Sequence, residues 1–190
     1  MQKFNQSLQA YFNLNENDLV KIASYFKSET IEKDDYFLHA GNQCKKLSFI
    51  NDGILRIYMT IDRKEITQWI STSGYFVTEI SSFMFETPAR WEMQALSKTT
   101  LFTISKENYE RLNQEIENWH LIEKAFISKC FAMLEDRVFS HLSMTAEERF
   151  EFFFSQNKAL FNEIPQQYIA SMLGMSPETL SRIRNKQLTK

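Results

Sequence analysis

Glu178 and Arg182 stand four residues apart in SPETLSRIRNK, a stretch that reads as helix, so their side chains project side by side. Arginine can pair bidentately with guanine O6 and N7, and glutamate can accept from cytosine N4. The pair therefore has the chemistry to read base edges in a duplex, and a mutual salt bridge would hold the arginine in place. Gln166, Ser176, Thr179, Arg184 and Lys186 surround it with donors suited to phosphate oxygens. On an ordinary helical hairpin the same pair would be surface decoration, because Glu–Arg pairs at this spacing are common. The elements around the pair decide between the two readings.

Pro165 suits a helix first turn, and Ile169, Ala170 and Leu173 give that helix an apolar face. Gly174 falls where a helix ends in a left-handed residue. Ser176 can N-cap a second helix with Pro177 at its first position, and Leu180 and Ile183 give the inner face. A small residue four before a glycine, with apolar residues six and nine after it, is the helix-turn-helix spacing. Charge agrees. From Gln156 onward five basic residues (Lys158, Arg182, Arg184, Lys186, Lys190) face two acidic ones (Glu163, Glu178), a tail of +3 on a body of −5. That asymmetry fits a nucleic-acid module on a larger acidic domain.

Upstream, residues 1 to about 29 have helical spacing, with Leu8, Tyr11, Phe12, Leu19, Ile22, Ala23 and Phe26 apolar. From about Tyr36 to Ile104 the period becomes two, and Asn51-Asp52-Gly53, Asp62-Arg63, Ser73-Gly74 and Thr87-Pro88 punctuate the runs. This predicts short antiparallel strands in a sandwich or barrel. Residues 117–142 hold no glycine or proline and carry two apolar stripes. One is Ile127, Phe131, Leu134, Val138 and Leu142; the other is Trp119, Ile122, Phe126, Cys130 and Met133. One stripe must cover its own domain, and the second wants a partner, which in a homodimer is the same helix of another chain. The expectation places Trp119, Ile122, Phe126, Cys130 and Met133 at that dimer interface. Thr145 and Glu148 form a capping box, so a new helix begins near Ala146 and residues 143–145 are a hinge. Phe150, Phe152, Phe153 and Phe154 then nucleate a small C-terminal core.

Composition excludes several classes. At 190 residues, 43% hydrophobic and 24% charged, the chain is globular and too short for a large multidomain enzyme. With four glycines it offers no glycine-rich phosphate loop of the dinucleotide or P-loop kind. Cys44 and Cys130 form no disulfide framework, and His39, His120 and His141 are scattered, so no metal or iron–sulfur set is expected. No apolar run reaches the length of a membrane span, and MQKFNQSLQAYF lacks a signal-peptide core, which together point to a cytoplasmic protein.

A β-rich N-terminal domain, a long helix and a C-terminal helix-turn-helix resemble the Crp/Fnr family of bacterial transcription regulators. The resemblance runs along essentially the whole chain and is most specific in TAEERFEFFF (145–154) and IPQQYIASMLGMSPETLSRIRNK (164–186). It implies an α+β chain: a cyclic-nucleotide-binding-like antiparallel β-roll of double-stranded β-helix or jelly-roll type over 1–116, a dimerisation helix over 117–142, and a winged helix-turn-helix over 143–190. It further implies a homodimer on a palindromic operator in double-stranded DNA, with RNA polymerase as a candidate partner. The family's recognition helix carries R-E-T-x-x-R; Glu178, Thr179 and Arg182 match, and Pro177 stands at the first arginine. Any wing must come from Leu160 to Ile164, and it would be minimal.

The family's nucleotide cassette runs glycine, glutamate, small residues, then arginine followed by serine or threonine. Here it maps onto GYFVTEISSFMFETPARW (74–91), which makes Gly74, Glu79, Ser81, Ser82 and Arg90 the effector-pocket residues. Thr78 replaces a glycine, Ala89 falls at the arginine slot, and Arg90 follows one residue late. The degraded cassette disfavours a cyclic nucleotide and favours a structural Glu79–Arg90 salt bridge. The expected function is regulation of transcription through DNA, not catalysis, with an unidentified effector at the β-roll. The alternative is a ligand-binding β-roll that regulates a partner protein without DNA. A cupin-like enzyme fits the strand pattern alone but lacks the close His/Glu metal set.

Overall fold

The computed structural model describes residues 2–12 and 14–188; Lys190, counted in the basic tail, lies outside them. Two helices open the chain, α1 (Gln2–Phe12) and α2 (Glu16–Ser24), the second capped by Asn15, whose Oδ1 accepts from the Asp18 amide at 2.9 Å. Eight strands follow: β1 (Lys27–Ile31), β2 (Tyr36–Leu38), β3 (Lys46–Asp52), β4 (Ile54–Ile61), β5 (Lys64–Thr72), β6 (Phe76–Val77), β7 (Glu92–Ala95) and β8 (Thr99–Ser105), with α3 (Ile80–Phe85) between β6 and β7. They form two four-stranded sheets, ordered β1-β8-β3-β6 and β2-β7-β4-β5. The ladders of β8 with β1 and β3, of β3 with β6, and of β2 with β7 are antiparallel, giving the expected jelly-roll kind of β-roll. Helical spacing predicts helix to about residue 29, but β1 takes over at Lys27: KSETI carries no strand signal of its own and is drawn in by β8.

Tight turns follow from particular residues. Gly53 has φ +102°, and a Cβ there would lie 2.6 Å from Thr99 Cα, so only glycine fits between β3 and β4. Between β4 and β5, Asp62 and Arg63 both take positive φ (+48° and +65°), the pairing a two-residue hairpin turn requires.

Strand alternation gives way to burial on both faces in β3 and early β4, where Leu47 to Ile50 and Ile54 to Tyr58 are all buried. For β3 the reason is a helical layer over one sheet face. Phe4, Leu8 and Phe12 of α1 and Ile22 of α2 share a core with Leu47 and Phe49 of β3 and Ile104 of β8. The same core takes in Tyr109 and Leu112 of α4 (Lys106–Glu115) and Trp119 and Phe126 of α5 (Trp119–Ser143). Phe12 stacks on Phe126 at 4.7 Å between ring centroids.

Four further helices end the chain: α6 (Ala146–Gln156), α7 (Leu160–Glu163), α8 (Gln166–Met172) and α9 (Pro177–Leu188). The Thr145–Glu148 capping box forms at the start of α6. Phe150, Phe154 and Phe161 make the C-terminal nucleus, with centroids 5.0–5.5 Å apart, whereas Phe152 is exposed. No strand lies after β8 among the described residues. Where a wing would have to come from, Leu160, Phe161 and Ile164 are buried on or beside a helical turn, because their apolar side chains complete the phenylalanine nucleus.

The chain divides into two compact units. The first is Met1–Ile57 with Ser71–Phe131; the second is Tyr58–Ile70 with Ala132–Lys190. This division differs from boundaries at residues 116 and 142 in two ways. The long helix is shared at Phe131/Ala132, and the tip of the β4–β5 hairpin belongs to the C-terminal unit.

Candidate functional site

In the C-terminal unit the helix-turn-helix signature becomes geometry residue by residue. Gly174 has φ +66° and closes α8. Its amide donates to Ser171 O at 3.1 Å, and the Met175 amide donates to Ala170 O at 3.0 Å. That is the paired bond pattern of a left-handed glycine cap. Ser176 then caps α9, its Oγ accepting from the Thr179 amide at 3.2 Å. Ile169, Ala170, Leu173, Leu180 and Ile183 are all buried between the helices. Ala170 is fully covered, which lets α8 and α9 cross closely.

On the outer side Glu178 and Arg182 are both exposed. The expected salt bridge between them is not formed. Glu178 instead bonds back to its own helix start, where the Ser176 hydroxyl holds its carboxyl below the usual carboxylate range. Arg182 is thus presented to solvent beside Glu178 rather than tied to it. Ser181 and Asn185 are exposed too and complete the face at spacing three, four and seven from Glu178. Sequence reading named neither, although that spacing would have found both.

The expected phosphate contacts divide. Ser176 and Thr179 sit at the α9 N-terminus with their hydroxyls 3.2 Å apart, and Gln166 opens α8 half-buried. Arg184 places its guanidinium 6.0 Å from the centroid of the Phe161 ring, and Lys186 Nζ is 2.8 Å from Glu147 Oε1. Both hold α9 to the helices beneath it while keeping their charge at the surface.

Two arginines occupy the last carbonyls of α8, which no intrahelical amide can reach. Arg137 Nη2 donates to Met172 O at 3.2 Å, and Arg149 Nε donates to Leu173 O at 2.9 Å. Burial lowers the Arg137 guanidinium to about 10, so it remains charged at neutral pH.

In the first unit the cassette residues do come together. Glu79 is buried and caps α3, accepting from the Ser82 amide at 2.5 Å, and Arg90 Nε lies 3.5 Å from its Oε1. Ser82 Oγ accepts from the Cys44 amide at 2.8 Å. Ser81 is half-buried, and Gly74, at φ +104°, donates its amide to Ile50 O at 2.9 Å. Thr78 hydrogen-bonds Lys46 O at 3.0 Å, filling with side chain the place where bare backbone would approach a phosphate. Ala89, at the arginine slot, is buried and cannot offer a charge. Arg90 is largely exposed and is engaged by Glu79. The Glu79 carboxylate thus serves the chain itself, through the α3 cap and the ion pair with Arg90.

The stripe expected outside turns largely inward. Trp119 and Phe126, expected at a dimer interface, are buried in the first unit's core, and Ile122 packs against it; Cys130 is exposed and Met133 half-buried. Of the other stripe Ile127 packs against the core, whereas Phe131 (58% exposed), Leu134 (47%), Val138 (52%) and Leu142 (81%) are left in solvent, as are Leu121 and Phe139 of neither stripe. The stripe nearer the aromatic α1 was claimed by Phe12 and its neighbours. Among the described residues no group of His, Cys, Asp and Glu is placed to hold a metal ion, and no helix is long and apolar enough to cross a membrane.

Comparison with known proteins agrees with this architecture. Residues 28–115 match the family model of the cyclic nucleotide-binding domain. No curated protein matches the chain. Among solved structures, the chain is similar to the c-di-GMP-responsive global regulator CLP of Xanthomonas campestris, at TM-score 0.65, 16% identity and 92% coverage of both chains. It is likewise similar to the Thermus thermophilus catabolite activator protein, at TM-score 0.60 and 18% identity, over 96% of this chain and 87% of that one. The cAMP-bound regulatory domain of Toxoplasma gondii PKA matches only 57% of this chain and 42% of its own, at TM-score 0.53 and 18% identity. The chain thus shares the fold of these regulators, an antiparallel β-roll matching the cyclic nucleotide-binding domain followed by a helical C-terminal part.

Proposed function

We propose that this protein is a homodimeric, sequence-specific DNA-binding regulator of transcription of the Crp/Fnr type, acting in the cytoplasm. The observation that carries the reading is the exposed face of α9. Glu178, Ser181, Arg182 and Asn185 stand on one side of a helix whose other side packs on α8 through Leu180 and Ile183. Inserted in a major groove, that face puts an arginine and a carboxylate at base edges, with Ser176, Thr179 and the α9 amide ends toward phosphate. The exposed stripe Phe131, Leu134, Val138 and Leu142 supports pairing of α5 with the same helix of a second chain. Two recognition helices about one duplex turn apart, ~34 Å, then read an inverted repeat. An effector at the β-roll acts by shifting the dimer between matched and mismatched spacing. The pairing of Glu79 with Arg90 and the buried Ala89 at the arginine slot disfavour a cyclic nucleotide as that effector. The fold class and its named neighbours are regulatory, which supports a non-enzymatic role.

One observation favours a second reading, a β-roll that regulates a partner protein without DNA: the partial match to a kinase regulatory domain. Selection of duplexes from a random DNA pool by the purified protein separates the two. Enrichment of an inverted repeat is the expected result; recovery of unenriched sequence, with and without cyclic nucleotides, favours the second reading. A monomer at micromolar concentration would contradict the dimer.

A further inference from the structure

Arg137 lies within Glu135-Asp136-Arg137, a run that reads as solvated surface, yet its side chain is half-buried. It joins three elements of the C-terminal unit. Nη1 donates to Gln68 O on β5, Nη2 donates to Met172 O at the end of α8, and the guanidinium lies 4.9 Å from the centroid of the Trp69 ring. Beside it the Thr67 amide of β5 donates to Ser171 Oγ of α8 at 2.9 Å. Gly174, the turn between α8 and α9, lies against His141 of α5: a Cβ there would come 3.4 Å from the imidazole. The hairpin tip, the end of α5 and the helix-turn-helix thus form one packed body.

We propose that Arg137 is a positioning residue, a brace that fixes the helix-turn-helix against α5 and the hairpin tip and so sets the half-site spacing the dimer accepts. This rests on the DNA-binding reading above. The physical case is geometric. A guanidinium is a rigid fork that reaches two carbonyls at once, whereas an ammonium on a flexible stem satisfies only one at a time in a fixed direction. The two carbonyls belong to different elements, so the fork determines their relative orientation. Because α5 also carries the exposed apolar stripe, its orientation relative to α8 determines where the two recognition helices stand in a dimer. Each added base pair between half-sites rotates one recognition surface by about a tenth of a turn and moves it by ~3.4 Å, so spacing is a sensitive readout of this angle.

The test is a titration of duplexes that carry the same two half-sites separated by spacers differing one base pair at a time. Wild type, Arg137→Met, Arg137→Lys and Ser171→Ala are compared. Wild type is expected to prefer one spacing by about tenfold or more, and Arg137→Met to flatten that preference to within about threefold while base preferences inside each half-site stay unchanged. Arg137→Lys keeps the charge and is expected to restore less than half of the preference; Ser171→Ala is expected to weaken it by about twofold. A merely structural arginine would lower binding equally at every spacing. If Arg137→Met does not fold, Arg137→Lys carries the test: a flattened profile supports the brace and a wild-type profile overturns it. Wild-type discrimination kept by all three variants overturns the brace alone. Absence of binding to any duplex by wild type overturns the DNA reading and the positioning role together.

Discussion

Two regions of this chain resemble motifs of the Crp/Fnr regulators, and the structure treats them differently. In residues 164–188 each motif residue does in three dimensions what its type suggests: Gly174 turns, Ser176 caps, Leu180 and Ile183 pack, and Glu178 and Arg182 are left outside. In residues 74–91 the motif residues meet and bond to one another or to nearby backbone. Glu79 caps α3 and holds Arg90, Ser82 takes the Cys44 amide, and Thr78 bonds Lys46 O. Bonds already made within the fold compete with a ligand for the same groups. The contrast separates a helix face whose polar side chains stay exposed from a cassette whose side chains bond one another, although both retain the sequence outline.

The comparison can be attacked from either side. The largest effect is expected in the reading region. Leu180 is fully buried, so Leu180→Ala should cost about 2–5 kcal/mol of stability in the C-terminal unit, read by chemical denaturation, and should abolish DNA binding. In the cassette, Glu79→Ala should cost about 0.5–2 kcal/mol through loss of the α3 cap, without changing any nucleotide response. That response is itself predicted to be absent. A ligand at 100 times its Kd would add about 2.7 kcal/mol, so 1 mM cyclic nucleotide should leave the melting midpoint unmoved if the pocket is closed and raise it by several degrees if it is open.

Smaller effects sharpen the picture at the edge of α9. Lys186→Ala should weaken all duplexes about equally and lower the magnitude of the salt slope by about 1, because Lys186 supplies charge rather than base reading. The smallest concerns the start of α6. The Thr145 amide and hydroxyl hold the Glu148 carboxyl below its usual range. A depressed folded-state value means that this contribution is present above the unfolded value, about 4.3, and fades as pH falls through the folded one. The stability difference between wild type and Glu148→Gln should therefore stay constant from pH 7 to 5 and shrink only in more acid solution.

What could be read from sequence follows the range of the interactions. Helix caps and turns are local, so Gly174, Ser176 and the Thr145–Glu148 box were legible at their positions. The β-roll was legible from strand alternation and turn residues, but β1 was not, since Lys27–Ile31 has strand geometry only because β8 pairs with it. The two α5 stripes were visible as apolar periods, yet which one faces inward depends on Phe12 and Phe126 meeting across more than a hundred residues. Arg137 gave no signal for the same reason: its partners, Gln68 and Met172, lie 69 and 35 residues away. The cassette's state was half legible. Its missing arginine showed in Ala89, while the engagement of Glu79 by the Ser82 amide needed coordinates.

The most direct test of the central claim, that α9 reads base edges, is a titration of wild type and Arg182→Ala on a selected operator and on its single-base-pair variants. Loss of about 1–3 kcal/mol on the operator, with the penalty for substitution at one symmetric base pair erased in Arg182→Ala, is the predicted result. An equal loss on every duplex, or none, would contradict it.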